Sequence, residues 1–364
     1  MPDDTVLHLR GPVLVGPDEA VAQAWVLGGR ITFDRPRGVS SRSVDVDGWV
    51  LPGLVDAHCH IGLGAHGVVP DEIAEGQALT DRDAGVLLVR DCGSPSDTRW
   101  IDGRDDLPRI VRAGRHLART RRYLREYAHE LEPEGLVERA VEQARSGDGW
   151  VKIVGDWIDR DLGDLAPCWP PEVLAAAMTA AHAQGARVTV HCFGEDALRD
   201  AVDAGADCVE HACGLDDDTL ADVARRGVAV VPTLVNIATF PEIAARAGEK
   251  YPVYAAHMRR LHERRYATVM SAYESGVPVF AGTDAGGTLA HGLIAREVAE
   301  LAGAGLPPVA ALDTACWGAR SWLRRPAVEE AAPADLVVYP ADPREDVGVL
   351  AHPSLVVLRG RPVR

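Results

Sequence analysis

The chain has 364 residues, and its 54 acidic and 38 basic side chains give a formal net charge of -16 at pH 7. Nucleic-acid binding depends on clustered Lys and Arg, so this charge argues against nucleic acid as a partner. The N-terminus lacks a basic stretch followed by an apolar one, and no apolar run approaches the roughly 18 residues of a membrane span. We therefore predict a cytoplasmic protein with no membrane partner.

The seven cysteines are odd in number and include no C-x-x-C pair. This spacing indicates neither a disulfide framework nor a cysteine zinc site, and it favours reduced core residues.

Both ends of the chain carry short strand patterns separated by Gly and Pro, in residues 1–48 and 333–364. Strands at the two ends could pair into one sheet. We therefore predict a small β-sandwich-like domain built from both termini, with residues 49–332 forming a second domain.

Eight strand-length apolar runs alternate with helix-like stretches in this second domain. They are "WVLPGLVDAH", "GVLLVRDCG", "PRIVRAG", "WVKIVGD", "ARVTVHC", "ADCVEHA", "VAVVPTL" and "VPVFAGTDA". Two of the connecting segments carry clear helix boundaries: residues 170–185 begin with Pro and end with Gly, and residues 215–227 pair an acidic first turn with a basic last turn. The alternation predicts an α/β fold, a (β/α)8 TIM barrel whose active site lies at the C-terminal ends of its strands.

Metal-ligating side chains fall at the predicted strand ends. His58 and His60 are two residues apart and so point to the same face of one strand, while His191, His211 and Asp284 end three later strands. A lone histidine is more often an ordinary core residue, but five such side chains together favour a site for zinc or a similar divalent ion.

Lys152 is one of only two lysines and lies in an apolar run that reads as a buried strand. Taken alone, it could snorkel to the rim or pair with Asp156. Beside metal ions and an apolar wall, however, the neutral amine would be favoured, and it could add carbon dioxide to form a carbamate that bridges two metals. An arginine could not do this, because it stays protonated and has no acceptor.

The motifs "LPGLVDAHCH", "VKI", "VTVHCFG", "CVEHACGLDD", "VVPTL" and "AGTDAGG" resemble the amidohydrolase superfamily, especially its prolidase-like members, over essentially the whole chain. The resemblance implies two divalent metal ions, with zinc expected, and a bridging hydroxide. It places His58 and His60 on the first metal, His191 and His211 on the second, a carboxylated Lys152 between them, and Asp284 on the first. Asp284 would also accept and return the proton during attack.

The resemblance also implies a small-molecule substrate and favours cleavage of an amide bond in a dipeptide or an N-acyl amino acid. Where many prolidase-like relatives carry Gly-Gly-His, this chain has Arg121, Arg122 and Tyr123. We predict that a guanidinium of Arg115, Arg119 or Arg122 holds a substrate carboxylate. Tyr123 and His291 are candidates for orienting the scissile carbonyl. The alternatives are a solvated helix face for the arginines and a simple lining role for Tyr123 and His291.

Other functions remain open. A mononuclear deaminase would share the paired histidines and the late Asp, but such enzymes usually carry a Glu three residues after the fifth-strand His, and here Glu195 comes four after His191. Lactone or phosphoester hydrolysis would use the same site. A non-catalytic metal-binding barrel would keep the ligands without turnover, and the sequence is also compatible with a homo-oligomer.

Overall fold

The computed structural model of the chain describes residues 6–36 and 43–364. The first group of strands in these residues precedes the first long helix: β1 (Val6–Leu14), β2 (Ala20–Leu27), β3 (Arg30–Thr32), β4 (Ser43–Asp47), β5 (Trp49–Pro52), β6 (Leu54–Gly64) and β7 (Gly67–Val68). The central strands are β8 (Val86–Asp91), β9 (Arg109–Arg112), β10 (Leu117–Arg119), β11 (His129–Leu131), β12 (Trp150–Val154), β13 (Asp156–Asp159), β14 (Asp164–Pro167), β15 (Arg187–Cys192), β16 (Cys208–His211), β17 (Ala229–Val231) and β18 (Ala285–Gly287). The last three are β19 (Leu336–Tyr339), β20 (Leu355–Leu358) and β21 (Arg361–Pro362).

The α-helices separate the central strands. They are α1 (Asp71–Asp83), α2 (Leu136–Ser146), α3 (Pro171–Ala183), α4 (Glu195–Ala204), α5 (Asp217–Arg226), α6 (Leu234–Ile237), α7 (Phe240–Ala247), α8 (Pro252–Glu274), α9 (Ile294–Ala304), α10 (Pro308–Asp313) and α11 (Trp317–Trp322). Short 3-10 helices span Arg99–Gly103, Pro133–Gly135 and Val347–Ala351. Among the described residues, no helix combines the length and the apolar character needed to cross a bilayer.

Strands from both ends of the chain lie in one eight-stranded sheet. Its order is β21-β20-β19-β5-β1-β2-β3, with β4 beside β1, and β19 runs antiparallel to β5. Buried apolar side chains such as Leu9, Val50 and Leu336 form a core cluster on this sheet. Strands near the two ends of the chain therefore share one sheet through the pairing of β5 with β19, while the β-sandwich-like domain and the bounds of the two domains stay predictions.

The first predicted barrel strand is wrong in its opening residues. Trp49–Pro52 forms β5 of the terminal sheet, and the strand that carries the histidines begins only at Leu54. Gly53 separates the two strands, at a point where a Cβ atom would lie 2.5 Å from the side chain of Leu87. Because glycine has no Cβ atom, the chain can pass this close to Leu87 between the two sheets.

Apart from the antiparallel β13–β14 hairpin, the central strands pair in parallel, and α-helices connect most of them. One sheet has the order β11-β10-β12-β15-β16-β17, and another contains β18-β6-β8-β9. All five residues of β12 are buried, as expected for a parallel strand covered on both faces. The predicted α/β fold is confirmed, and closure of the strands into a complete barrel stays a prediction.

The helix predictions and the eighth strand had different outcomes. Residues 170–185 and 215–227 contain α3 and α5, and the side chain of Asp216 caps α5 by accepting from the backbone N–H of Thr219.

The eighth predicted strand, in contrast, is not a regular strand before Asp284. Pro278 lacks an N–H donor, and the segment is held only by bonds such as Phe280 N to Val230 O (3.0 Å) and Ala57 N to Ala281 O (2.9 Å).

Candidate metal centre

His58 and His60 converge at the end of β6, as their spacing predicted. Their Nε2 atoms are 3.1 Å apart, and both residues are buried. The Nδ1 atom of His58 lies 2.7 Å from a carboxylate oxygen of Glu210, and that of His60 lies 2.7 Å from the carbonyl oxygen of Gly93. Because these acceptors require Nδ1–H donors, each Nε2 keeps its lone pair, as a metal ligand must.

His191 and His211 form a second converging pair. The Nδ1 atom of His191 lies 2.9 Å from the Nε2 atom of His211, and the other ring nitrogen of His211 lies 2.7 Å from the hydroxyl of Thr233. Burial holds the pKa of both imidazoles well below the ordinary histidine value, and the pKa of His191 is lowered further by His211. Both rings are therefore neutral and can ligate a cation.

Asp284 lies against the first histidine pair and within reach of His211. Its Oδ1 lies 2.9 Å from His60 Nε2 and 3.0 Å from His58 Nε2, while its Oδ2 accepts from the side-chain amide of Asn236 at 2.6 Å. Burial alone would raise its pKa, but the neighbouring His58 and His60 hold the pKa of Asp284 well below its usual value. Ligand atoms of His58, His211 and Asp284 all lie within 4.8 Å of one another.

Lys152 is 1% exposed on β12, and its Nζ atom has no hydrogen-bond partner among the described residues. Its ammonium does not snorkel to the rim, because Nζ itself is buried. Pairing with Asp156 is also wrong, because Nζ forms no hydrogen bond with it; the Asp156 carboxylate instead accepts from the backbone N–H groups of Phe193 (3.0 Å) and Gly194 (2.6 Å). Burying an amine without a hydrogen-bond acceptor costs folding free energy. The position of Lys152 therefore fits a chemical role in which Nζ gains a bonding partner.

These features satisfy the donor chemistry of a metal site. Four imidazoles and the Asp284 carboxylate converge, and the buried Nζ of Lys152 has no hydrogen-bond partner among the described residues. The six residues predicted as ligands therefore fit divalent cations.

Glu210 is a site residue that the sequence analysis missed. It is fully buried between His58 and Arg90, whose Nη2 lies 2.6 Å from Glu210 Oε1. Burial raises its pKa, but Arg90 and His58 overcome this and hold the pKa of Glu210 well below the usual value. It stands next to His211, and alternation along a strand would send the two side chains to opposite faces. His211 has φ 67°, and this left-handed conformation lets both neighbours reach the centre.

We expect Glu210→Gln to destabilise the fold by about 3–5 kcal/mol, because it leaves the buried Arg90 without its counter-charge. Urea unfolding measures the change. The matched control is Glu242→Gln, whose pair with Arg246 is exposed (side chains 79% and 77% exposed) and should contribute less than about 1 kcal/mol. Equal stability of the two variants would contradict the role given to Glu210.

The arginine-rich segment is not a helix, so the alternative of a solvated helix face is wrong. It contains β10 followed by turns, in which Arg121 and Glu126 have positive φ. Arg122 donates to Asp159 Oδ2 (2.8 Å), Trp157 O (3.0 Å) and Ala166 O (2.9 Å). These contacts correct the prediction for Arg122, whose guanidinium holds the β13–β14 hairpin rather than facing the ligands.

The remaining predicted substrate contacts differ from one another. Arg115 donates to the carbonyl oxygens of Glu126 and Tyr127, and Arg119 contacts Cys168 O and Glu132, so their contact with a carboxylate stays a prediction. The ring of Tyr123 lies 5.7 Å from that of His191, and its role with the scissile carbonyl also stays a prediction.

His291 requires a correction. Its Nδ1 lies 2.8 Å from Asp81 Oδ2 and 3.7 Å from the sulfur of Cys59. Cys59 stands between His58 and His60 on β6 and therefore faces the opposite side of that strand. The ring of His291 thus faces Asp81, not the converging histidines.

Glu195, the residue weighed for a deaminase, is directed away from the ligands. Its carboxylate lies 2.9 Å from His257 Nε2 and 3.2 Å from Arg260, and the hydrogen bond from His257 lowers its pKa to about 2. The Glu195 carboxylate is therefore held by a histidine and an arginine that are not among the predicted ligands.

Comparison with known proteins agrees with this geometry. Residues 49–363 match the model of the amidohydrolase family. The chain belongs to the amidohydrolase family. An uncharacterized protein of Mycobacterium tuberculosis (strain ATCC 25618 / H37Rv) is 58% identical over 356 residues, which cover 98% of this chain and 95% of that protein.

Several solved structures share the fold of this chain. A Xaa-Pro dipeptidase with methionine bound in its active site aligns with a TM-score of 0.79 and 23% identity, over 98% of this chain and 99% of that chain. A putative prolidase from Bifidobacterium longum aligns with a TM-score of 0.82 and 23% identity, over 99% of this chain and 95% of that chain. The predicted amidohydrolase superfamily is confirmed, and these solved structures share the fold of this chain.

Proposed function

We propose that the chain is a metal-dependent amidohydrolase, with a (β/α)8 barrel, that cleaves an amide bond in a small molecule such as a dipeptide or an N-acyl amino acid. The observation that carries the proposal is the buried Lys152 amine, which has no partner among the described residues although metal-ligating side chains converge at the neighbouring strand ends. A hydrolytic centre with two cations would use every one of these side chains.

Two divalent ions, with zinc expected, would be held by His58, His60 and Asp284 on one side and by His191 and His211 on the other. When bound, they would make hydroxide available near neutral pH and polarise the scissile carbonyl. Lys152 would join the two sides after its neutral amine adds carbon dioxide and releases one proton, which leaves a carbamate with two acceptor oxygens.

Side chains and backbone groups of the protein would orient the histidine ligands and transfer the proton. Glu210, Gly93 and Thr233 fix the rings of His58, His60 and His211 through their Nδ1 atoms. Asp284 is ionised and can accept a proton from the attacking water. It returns this proton to the leaving nitrogen, which then departs as a neutral amine.

We expect the purified protein to hold two divalent ions per chain at saturation, measured by elemental analysis. His191→Ala should remove one ion and keep the site formed by His58, His60 and Asp284. His182→Gln is a suitable control, because this histidine is on the surface and pairs with Asp207. One ion at saturation in the unaltered protein would contradict the two-metal proposal.

Activity is tested with a panel of dipeptides, N-acyl amino acids, lactones and phosphoesters, with and without chelator. Chelator-sensitive release of an amine from an amide supports the proposal. Turnover confined to lactones or phosphoesters would replace amide cleavage with those reactions, and metal binding without any turnover would favour a non-catalytic barrel.

A further inference from the structure

Two half-buried aromatic rings lie against the second histidine pair. Tyr123 and Trp157, hereafter the aromatic pair, meet edge to face with ring centroids 4.8 Å apart. Each ring centroid is 5.7 Å from that of His191. Both side chains keep part of their surface exposed, so they are not simply core residues.

The protein holds the aromatic pair in place from both sides. Tyr123 follows Arg122, which donates to the carbonyl oxygens of Trp157 and Ala166 and to the carboxylate of Asp159. One guanidinium therefore fastens the hairpin that carries Trp157 to the turn that carries Tyr123. A pair fixed in this way presents flat apolar surface without further loss of side-chain entropy on binding.

A second layer behind the pair is also aromatic. Phe193 lies 4.3 Å from the ring of His191 and 4.8 Å from that of Phe240, which is completely buried. The guanidinium of Arg122, which directly precedes Tyr123 in the sequence, is already paired with the carboxylate of Asp159. The surroundings therefore suit an uncharged flat group better than a carboxylate.

The two ends of the substrate can be assigned from Asp284. Under the proposed function this carboxylate returns a proton to the leaving amine, and it contacts His58 and His60. The aromatic pair contacts His191 in the other histidine pair. The leaving amine therefore lies on the side of Asp284, and the acyl group lies on the side of His191.

We propose that Tyr123 and Trp157 form a specificity pocket for an aromatic acyl group, so that aromatic N-acyl compounds are preferred to their acetyl counterparts. This inference rests on the proposed function for the orientation of the substrate. The pocket itself can be tested separately by binding.

The binding test uses benzoate, cyclohexanecarboxylate and acetate on the metal-loaded protein, with calorimetry as the readout. All three probes carry the same carboxylate and differ only in the group that the pocket would contact. We expect benzoate to bind about tenfold more tightly than acetate, with cyclohexanecarboxylate between them. Equal affinities of benzoate and acetate would overturn the proposal.

Trp157→Leu and Tyr123→Leu keep an apolar side chain and remove a flat ring. Each should reduce the benzoate-to-acetate ratio by about three- to tenfold, and Trp157→Leu should change the acetate affinity by less than about twofold. Trp100→Leu, at a half-buried tryptophan in the 3-10 helix Arg99–Gly103, is the matched control and should leave the ratio unchanged. A ratio that neither pocket variant alters would overturn the assignment to these residues.

Hydrolysis of N-benzoylglycine and N-acetylglycine separates the two proposals. Faster cleavage of the benzoyl compound supports the pocket, while cleavage of both at equal rates contradicts it and leaves amide hydrolysis in place. If neither is cleaved but benzoate discrimination depends on Trp157, the pocket stands and the proposed reaction fails. A preference for an aromatic amine instead of an aromatic acyl group would overturn the assigned orientation.

Discussion

Lys152→Arg is expected to be as inactive as Lys152→Ala, although it preserves the positive charge. Replacing residues that merely orient metal ligands typically costs 10–100-fold in activity or metal affinity, so loss of a bridging ligand should cost more than about a hundredfold in kcat/KM. The guanidinium would enter a pocket in which Nζ of the native lysine has no acceptor, and it cannot form a carbamate. Steady-state kinetics of both variants at matched metal content measure the effect.

The two variants should differ in one respect. Lys152→Ala leaves a cavity that a short carboxylate such as acetate or propionate can enter, so added carboxylate should restore part of the activity. The arginine variant should gain nothing, because its side chain fills the space and repels cations. A carbamate signal in carbon-13 NMR after labelling with carbon dioxide checks the modification without turnover, and an active Lys152→Arg protein would refute the carbamate.

Asp284→Asn should lower kcat by about 10²–10⁴-fold while metal content stays near that of the unaltered protein. The amide oxygen can still take the place of Oδ1, but it cannot carry the proton from water to the leaving nitrogen. The amide nitrogen would then face Asn236, whose own amide can turn to present its oxygen. Kinetics and elemental analysis on the same preparation separate the two effects.

Asn236→Ser is the control for this experiment. It removes the hydrogen bond to Asp284 Oδ2 and keeps the carboxylate, so it should cost about tenfold or less. Turnover of the Asp284→Asn variant above a tenth of the unaltered level would assign proton transfer to another group.

Strand-end ligands were predictable because alternation is a property of the strand itself. His58 and His60 share a face at a spacing of two, and the structure brings their Nε2 atoms together. Glu210 escaped prediction for the same reason. It neighbours His211, and only the left-handed backbone at His211 overcomes the alternation.

The arginine segment shows a second limit of sequence patterns. The composition of this segment allows a helix. Arg121 and Glu126 have positive φ, which is incompatible with a helix, and this conformation depends on tertiary contacts. Arg122 looked available for a substrate carboxylate because its partners, Asp159 and two backbone carbonyls, lie more than thirty residues away in sequence. Distant acceptors of this kind cannot be read from spacing.

The terminal sheet has a consequence for the order of events during synthesis. The strand β5 pairs with β19, which follows it by about 280 residues in the sequence. During synthesis this edge of β5 therefore has no partner until those residues have left the ribosome. The nascent chain therefore carries an unpaired strand edge through most of translation, and such edges are sites of aggregation. Truncation before Leu336 should make the N-terminal strands prone to self-association, because the strand that normally covers β5 would never arrive.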